Sequence, residues 1–172
     1  GNIISGNTIT NIHNYPGVEL RSACNNTISG NTITNTDSGV ELRLASYNNT
    51  ISRNTIENNN HGIGLSSSSG NKFYHNNLIN NTAQAYIATP GYANSWDDGY
   101  PSGGNYWSDY NGTDSYRGQY QNETGSDGIG DTPYLIDEAN SDQYPLMKPY
   151  GVEHDVAVMN VSLSRTIIWE GI

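Results

Sequence analysis

Five aspartates in the second half of the chain have the residue type and the surroundings that a hard cation requires. They are interspersed with glycine, serine and tyrosine, and they are Asp109, Asp114, Asp127, Asp131 and Asp137. Calcium takes about six to eight oxygen ligands from carboxylates and backbone carbonyls, and a glycine-rich loop can present both. The sequence therefore predicts one bound calcium ion here. The competing interpretation is that these aspartates only form turns.

Two glutamates could perform acid–base chemistry on a polysaccharide. Glu19 and Glu41 occupy the same place in two similar segments, residues 18–21 and 40–43. Glycoside hydrolases use two carboxylates at a fixed separation, and neighbouring strands lie about 4.8 Å apart. Each glutamate also stands two positions before an arginine, which is more typical of an exposed ladder of ion pairs. We therefore predict no catalytic residue and keep a pectate-lyase-like enzyme as the alternative.

Side chains that bind copper are present but scattered. Copper needs imidazole, thioether or thiolate ligands that converge on one point. The candidates follow no common spacing, and they are His13, Cys24, His61, His75, Met147, His154 and Met159. The residues alone therefore predict no copper centre, and a single cysteine cannot form an internal disulfide.

A repeat in the first half of the chain must position these residues. The phrase Asn-Thr-Ile-Ser-Gly-Asn-Thr-Ile-Thr-Asn occupies residues 26–35, and variants begin at Asn2, Asn49 and Asn71. The apolar residues that align across the copies are 24, 23 and 22 positions apart, and they are Ile4, Ile28, Ile51 and Phe73. A period in the low twenties, holding three short segments of alternating polarity, is typical of a parallel β-helix. The predicted fold is all-β, a right-handed parallel β-helix of about four coils.

Stacking of successive coils accounts for the residue types. Three further apolar columns complete the predicted core: Ile9, Ile33, Ile56 and Leu78; Val18, Val40, Ile63 and Ala85; and Leu20, Leu42, Leu65 and Ile87. A fifth column is made of asparagines, and its members are Asn7, Asn31, Asn54 and Asn76. We expect each amide in it to bond the amide of the next coil. We also expect these asparagines to take the left-handed backbone conformation at a corner, which asparagine tolerates.

From about residue 91 to residue 150 the repeat stops and aromatic residues become frequent. Nine of the 13 tyrosines lie here, together with Trp96 and Trp107. The end of a β-helix exposes apolar side chains and strand edges that must be covered. We therefore predict a loop-rich aromatic cap over the last coil. The alternative is an aromatic platform for a glycan, formed by Trp96, Trp107 and Tyr110.

Two segments of this second half carry a family resemblance. Residues 96–110 and 125–137 resemble the C-terminal portion of NosD-like right-handed β-helix proteins, especially archaeal cell-surface members, and the repeats are similar to the same family. The resemblance implies a secreted or surface-anchored β-helix, in a group with carbohydrate-binding and sugar-hydrolase β-helices. Relatives carry a longer acidic calcium-type loop, of which this chain keeps Asp127-Gly128-Ile129-Gly130-Asp131. The family name implies a periplasmic copper-related accessory role, which is the second alternative.

Charge and composition restrict the partners. The net charge is −10, so nucleic acid and anionic membranes are excluded as partners, and no segment predicts membrane insertion. Cations and neutral glycans are the expected ligands. Six Asn-x-Ser/Thr sequences predict N-glycosylation and an extracellular or cell-surface location, and they are Asn25, Asn48, Asn80, Asn111, Asn122 and Asn160.

The last segment, residues 151–172, changes pattern again. Its apolar residues alternate with polar or small ones and resemble the first strand of an immunoglobulin-like (CARDB-like) domain. A β-sandwich needs about 100 residues, so we expect residues 154–168 to pair with another copy of the chain or with their own β-helix. Gly1 lies inside a repeat, and solenoids need capped ends. We therefore expect the chain to be part of a larger protein.

The function predicted from these patterns is structural. The chain is expected to consist of coils over residues 1–90, a cap over 91–150 and a terminal strand over 151–172. It is expected to serve an extracellular assembly, with other copies of itself and glycans as partners. A glycan-degrading enzyme and a copper-related accessory protein are the alternatives.

Overall fold

The computed structural model describes residues 1–90 and 92–151. The predictions for the terminal strand, Asn160, His154 and Met159 lie outside the described residues. The described residues contain no helix that could span a membrane. Their strands are β1 (Ile3–Ser5), β2 (Thr8–Thr10), β3 (Val18–Arg21), β4 (Thr27–Ser29), β5 (Thr32–Thr34), β6 (Ser38–Arg43), β7 (Thr50–Ser52), β8 (Thr55–Glu57), β9 (His61–Leu65), β10 (Lys72–Tyr74), β11 (Asn77–Ile79), β12 (Ala83–Ile87), β13 (Tyr106–Trp107), β14 (Tyr116–Arg117), β15 (Glu123–Thr124), β16 (Tyr134–Asp137) and β17 (Asn140–Asp142).

Three parallel sheets form the walls of the molecule. The first has the strand order β1-β4-β7-β10, the second β13-β11-β8-β5-β2 and the third β12-β9-β6-β3. Each coil gives one strand to each sheet, and every strand of β1–β12 pairs with the equivalent strand of a neighbouring coil. This arrangement confirms the predicted parallel β-helix of about four coils.

The register of the sheets confirms the four apolar columns. Ile28 pairs with Ile51 in the first sheet, and Ile33 pairs with Ile56 in the second. In the third sheet Val40 pairs with Ile63. The side chains at the centre of each column are fully buried, and they are Ile28, Ile33, Val40, Leu42, Ile51, Ile56, Ile63, Phe73 and Leu78. Alternation along each strand therefore places one face inside and one outside, as the sequence pattern predicts.

The amide column is real, and two more accompany it. An amide ladder is defined as a stack of polar side chains, mostly asparagines, in which each side chain donates a hydrogen bond to the side-chain oxygen of the next. The first ladder runs Asn2, Asn26, Asn49, Asn71 and Asn94. The backbone N–H of Asn94 continues it to Oδ1 of Asn140. The second runs Asn7, Asn31, Asn54, Asn76, Asn105 and Asp142. The third runs Thr36, Asn59, Asn81, Gln84 and Ser108.

The backbone at the corners differs from the prediction. The residues with positive φ stand one position before the second ladder, at Gly6, Gly30, Arg53 and His75, with φ between 56° and 67°. The ladder asparagines were predicted to be left-handed, which was wrong. The left-handed residue turns the chain, so that the following side chain points inward and meets its counterpart. Arg53 and His75 show that this position accepts residues other than glycine.

A column of glycines lies inside the third corner. A Cβ on Gly39 would overlap the Ile56 side chain and approach the Gly62 carbonyl oxygen at 2.7 Å, and a Cβ on Gly17 would overlap Ile33. These glycines are required by close packing between coils rather than by their backbone angles. At the last coil Gln84 replaces glycine, and its amide enters the third ladder instead.

Residues 92–151 close the end of the β-helix as predicted. Strand β13 extends the second sheet by pairing with β11, which places Trp107 over Leu78. Trp96 stacks on Phe73 with ring centroids 4.4 Å apart, and the two tryptophan rings lie 5.8 Å apart. The hairpin β16–β17 then covers these rings, because Tyr134 stacks on Trp107 at 4.1 Å. The aromatic residues continue the apolar columns by one further layer.

Candidate functional site

The outer face of the third sheet carries the two glutamates. Glu19 and Glu41 are direct neighbours in the β3–β6 register. The Nε atom of Arg43 lies 2.6 Å from Oε1 of Glu41 and 3.8 Å from Oε1 of Glu19. The hydrogen bond to Glu41 is the main cause that raises the pKa of the Arg43 guanidinium. One arginine thus contacts both carboxylates, which is the arrangement of a surface ion-pair ladder.

The charged stripe ends at the third coil. Gly64 pairs with Glu41 across β6 and β9, so the glutamate column stops there. In its place the His61 ring stacks on Tyr86 with centroids 4.4 Å apart and an interplanar angle of 11°. Ser38 Oγ lies 3.4 Å from Nδ1 of His61. This face therefore presents an aromatic pair beside an ion-paired cluster.

Three of the five predicted calcium ligands organise loops in the cap. The carboxylate of Asp131 accepts hydrogen bonds from the backbone of Ser115 and Tyr116 and from the Thr113 hydroxyl. Desolvation acts to raise the pKa of Asp131, but these three donors outweigh it and lower the pKa. Asp114 accepts from the backbone N–H groups of residues 127 and 128, and Asp127 accepts from those of residues 118 and 129.

The other two aspartates lie elsewhere. Asp109 accepts from the Tyr134 hydroxyl at 3.1 Å, and Asp137 accepts from the backbone of Ala139 and the amide of Asn140. Burial and then the Asp109 carboxylate raise the pKa of the Tyr134 hydroxyl. Within residues 1–90 and 92–151, no three acidic, histidine or cysteine side chains gather as a metal site. The five aspartates therefore do not fit one calcium ion as they stand, and calcium binding stays a prediction.

The predicted aromatic platform is wrong for its two tryptophans. Trp96 and Trp107 are buried, with 0% and 1% of their surfaces exposed. Their indole N–H groups donate inward, to Asn140 at 3.0 Å and to Asp142 at 2.8 Å. No face of either ring is open to a sugar, because both serve as the last layer of the core. Tyr110 is half-buried, and its hydroxyl donates to the Thr132 carbonyl.

The glycosylation sequences are accessible wherever the structure describes them. The five asparagines among the described residues are exposed, and they are Asn25, Asn48, Asn80, Asn111 and Asn122. Asn25, Asn48 and Asn80 have positive φ and stand at corners of the coils, where their side chains point outward. Use of these sites remains a prediction.

Two structural features of the cap could not be predicted from the sequence. Asp142 is buried without a basic partner among its described contacts, and desolvation raises its pKa to about 7. Gln121 has a positive φ of 45°, and its amide oxygen is buried without a hydrogen-bond partner among the described residues. Neither residue lies in a repeat, so no spacing in the sequence distinguished it from its neighbours.

The candidates for soft-metal binding remain apart. His61 stacks on Tyr86, whereas His75 stacks on Tyr150 at 4.0 Å and bonds the Ser102 carbonyl through Nε2. Cys24 lies on the outer surface of the coils beside Tyr47. The described residues therefore do not fit a copper centre, which requires such ligands to converge.

Comparison with known families agrees with this architecture. Residues 1–112 match the model of the family described as Periplasmic copper-binding protein (NosD). No curated protein and no solved structure matches the chain. The matched region holds all the coils, both tryptophans of the cap and more than half of the 172 residues. The chain is a member of the NosD family.

Proposed function

We propose that this chain is a structural module of an extracellular or cell-surface assembly, and that it is not an enzyme. The observation that supports this most strongly is the set of three amide ladders, which run through the coils and continue into the cap. A typical hydrogen bond contributes about 0.5–1.5 kcal/mol to stability. Ladders of this length therefore hold each coil firmly to its neighbours and make the module stiff.

The surface supports an extracytoplasmic setting. Five exposed asparagines lie in glycosylation sequences, and the net charge is −10. The family to which the chain belongs is described as periplasmic. A stiff, acidic rod with accessible glycosylation sequences suits a role in spacing or display outside the cytoplasm. Copper binding is left out of the proposal because the described residues do not fit it.

A carbohydrate-active enzyme of the pectate-lyase-like class is the second candidate. It is favoured by one observation, the stacking of Glu19 directly over Glu41. Retaining glycosidases hold their two carboxylates about 5–5.5 Å apart, close to the spacing between neighbouring strands. Arg43 contacts both glutamates, which favours the ion-pair interpretation.

Two measurements test the proposal. Protease treatment of intact cells that produce the protein is expected to release it, because the module lies outside the cytoplasm. Purified protein incubated with polysaccharides is expected to release no reducing ends and no unsaturated products. Product formation that is lost in Glu41→Gln and retained in Glu57→Gln, a control on the second sheet, would replace the structural proposal with the enzyme.

A further inference from the structure

A pocket opens in the cap, away from the charged face of the third sheet. Its volume is about 290 Å³. It lies between the turn that joins β14 to β15 and the chain that follows β17, and its lining includes Tyr120, Gln121, Asp131 and Tyr144. Small-molecule sites begin at roughly 300 Å³, so this volume suits one small ring rather than a long chain.

Two tyrosines give the pocket apolar walls. Tyr120 stands at the tip of the turn with 78% of its surface exposed, more than any other tyrosine among the described residues. Tyr144 is held in place, because its hydroxyl donates to the Gln119 carbonyl at 3.1 Å and its ring lies 6.2 Å from that of Tyr100. An exposed aromatic ring offers an apolar face against which a ligand can pack.

The amide of Gln121 is fixed and only partly satisfied. Its Nε2 donates to the Gly118 carbonyl at 3.0 Å and to the Asp127 carboxylate at 3.1 Å. This orientation leaves Oε1 as an acceptor, which is buried and has no partner among the described residues. A buried polar atom without a partner is unfavourable. The positive φ of Gln121 adds backbone strain, which tends to be retained where a function requires it.

The charge of the lining selects the ligand. Asp131 is the one carboxylate in the lining, and its oxygens already accept bonds from Thr113, Ser115 and Tyr116. The lining contains no lysine, arginine or histidine, so an anion finds no counter-charge. Glutamine amides and tyrosine rings suit a neutral ligand that has both hydroxyl groups and an apolar face. A sugar ring has both.

We propose that this pocket binds one unit of a neutral glycan. The apolar face of the sugar lies against Tyr120 or Tyr144, and a hydroxyl donates to the amide oxygen of Gln121 as the turn adjusts around it. The site is separate from the outer face of the third sheet. The inference rests on the proposed extracellular role, because that is where free glycans occur.

Saturation-transfer NMR on the full chain, with the methyl glycosides of glucose, galactose and mannose as probes, tests the site. At least one probe is expected to bind with a millimolar Kd. Tyr120→Ala should weaken binding about tenfold, because it removes the exposed ring. Gln121→Gly should do the same; glycine accepts the positive φ and keeps the backbone hydrogen bond from residue 121 to the Gly118 carbonyl, while the side-chain amide is lost.

Tyr116→Ala is the matched control. Tyr116 is 45% exposed in the same hairpin but does not line the pocket, so binding should be unchanged. The proposal is overturned if no glycoside binds the wild type, if Tyr116→Ala weakens binding as much as Tyr120→Ala, or if choline binds in place of the glycosides. None of these results would change the outcome of the polysaccharide and protease assays. The glycan site and the structural role are therefore tested independently.

Discussion

Asp142 is an ionisable group in a place that ordinarily excludes a charge. Its carboxylate is fully buried and accepts hydrogen bonds from the backbone of Asn105 at 2.7 Å, from Trp107 Nε1 at 2.8 Å and from the backbone of Tyr144 at 3.1 Å. Desolvation raises the pKa to about 7, these bonds oppose the rise, and the negative charge of Asp97 adds to it. Asn140, two residues earlier, fills the equivalent place in the first ladder with a neutral amide.

The stability of the cap should therefore depend on pH. The unfolded aspartate titrates near pH 3.9 and the folded one near 7, so the folded state binds the proton more tightly. The stabilisation from Asp142 is complete below about pH 4 and is lost as pH rises to 7, at most roughly 4 kcal/mol. Asp142→Asn removes this titration. The melting temperature of the variant minus that of the wild type should therefore rise by several degrees from pH 4 to pH 7.

The readout is the difference in melting temperature between variant and wild type, because other carboxylates also titrate. Asp131, whose pKa is lowered, contributes in the opposite direction. Asp109→Asn, at an exposed site in the cap, should follow the wild type across the range. A constant difference between Asp142→Asn and wild type from pH 4 to 7 would show that Asp142 does not titrate there.

The middle of the second ladder should be the most sensitive asparagine position. Nδ2 of Asn54 donates to the carbonyls of Ile28 and Ser52 and to Asn76, and its Oδ1 accepts from Asn31. Asn54→Ala leaves several buried groups unsatisfied, at about 1–3 kcal/mol each. We expect a loss of about 3 kcal/mol or more in urea unfolding, whereas Asn60→Ala, on the surface, should cost less than about 0.5 kcal/mol. Equal losses would refute the ladder's role.

At the scale of the strand and its corner, glycines have two different structural roles. Gly39 lies inside, where a Cβ would overlap Ile56. Gly30 turns a corner with a φ of 64°, and nothing lies within 4 Å of the position its Cβ would take. Inside, the constraint is space between adjacent coils; at the corner it is only backbone angle, and later coils place arginine and histidine there.

Substitution of these two glycines should distinguish the constraint of packing from the constraint of backbone angle. Gly39→Ala should destabilise the protein by roughly 1–3 kcal/mol, because overpacking forces neighbouring coils apart. Gly30→Asn should change the free energy of unfolding by less than about 1 kcal/mol, because asparagine tolerates the left-handed region. Chemical denaturation of both variants checks this. If Gly30→Asn is the more damaging, packing is not the constraint.

The regular part of this fold could be predicted because the sequence shows two periodicities, an alternation of two residues within each strand and a repeat of 22–24 residues between coils. Alternation placed Ile33 and Ile56 inside, and the spacing of 22–24 residues aligned them. For the cap, the sequence predicted a loop-rich aromatic structure over the last coil but not its contacts. The role of Asp142 depends on contacts with Asn105 and Trp107, which are 37 and 35 residues away in a segment without a repeat. For the same reason, aromatic content alone could not separate the buried Trp96 from the exposed Tyr120.

At the scale of the whole molecule, the cap does not close the three sheets equally. It extends the second sheet through β13, and Ser95 pairs with Lys72 beyond the first. The third sheet ends at β12, and within residues 1–90 and 92–151 no backbone hydrogen bond joins β12 to the cap. An unpaired edge of this kind can accept a further strand from another chain.

Removal of residues 152–172 should therefore lower the mass of the protein in solution. Their sequence alternates apolar and polar residues through Val156, Val158, Val161 and Leu163, as a pairing strand requires. Light scattering is expected to show an assembly for the full chain and a monomer for the truncated one. A uniform monomer in both cases would contradict self-association through this segment.

The three amide ladders also have a direction. In each of them the side-chain donor belongs to the earlier coil and the acceptor to the later one. Amide dipoles joined in this way point along one axis and add, as peptide dipoles do in a helix. The protein is consequently a polar rod whose positive end lies under the cap. Asp142 places its carboxylate at that end of the second ladder, where the summed field opposes the desolvation that raises its pKa and where its described contacts include no basic side chain.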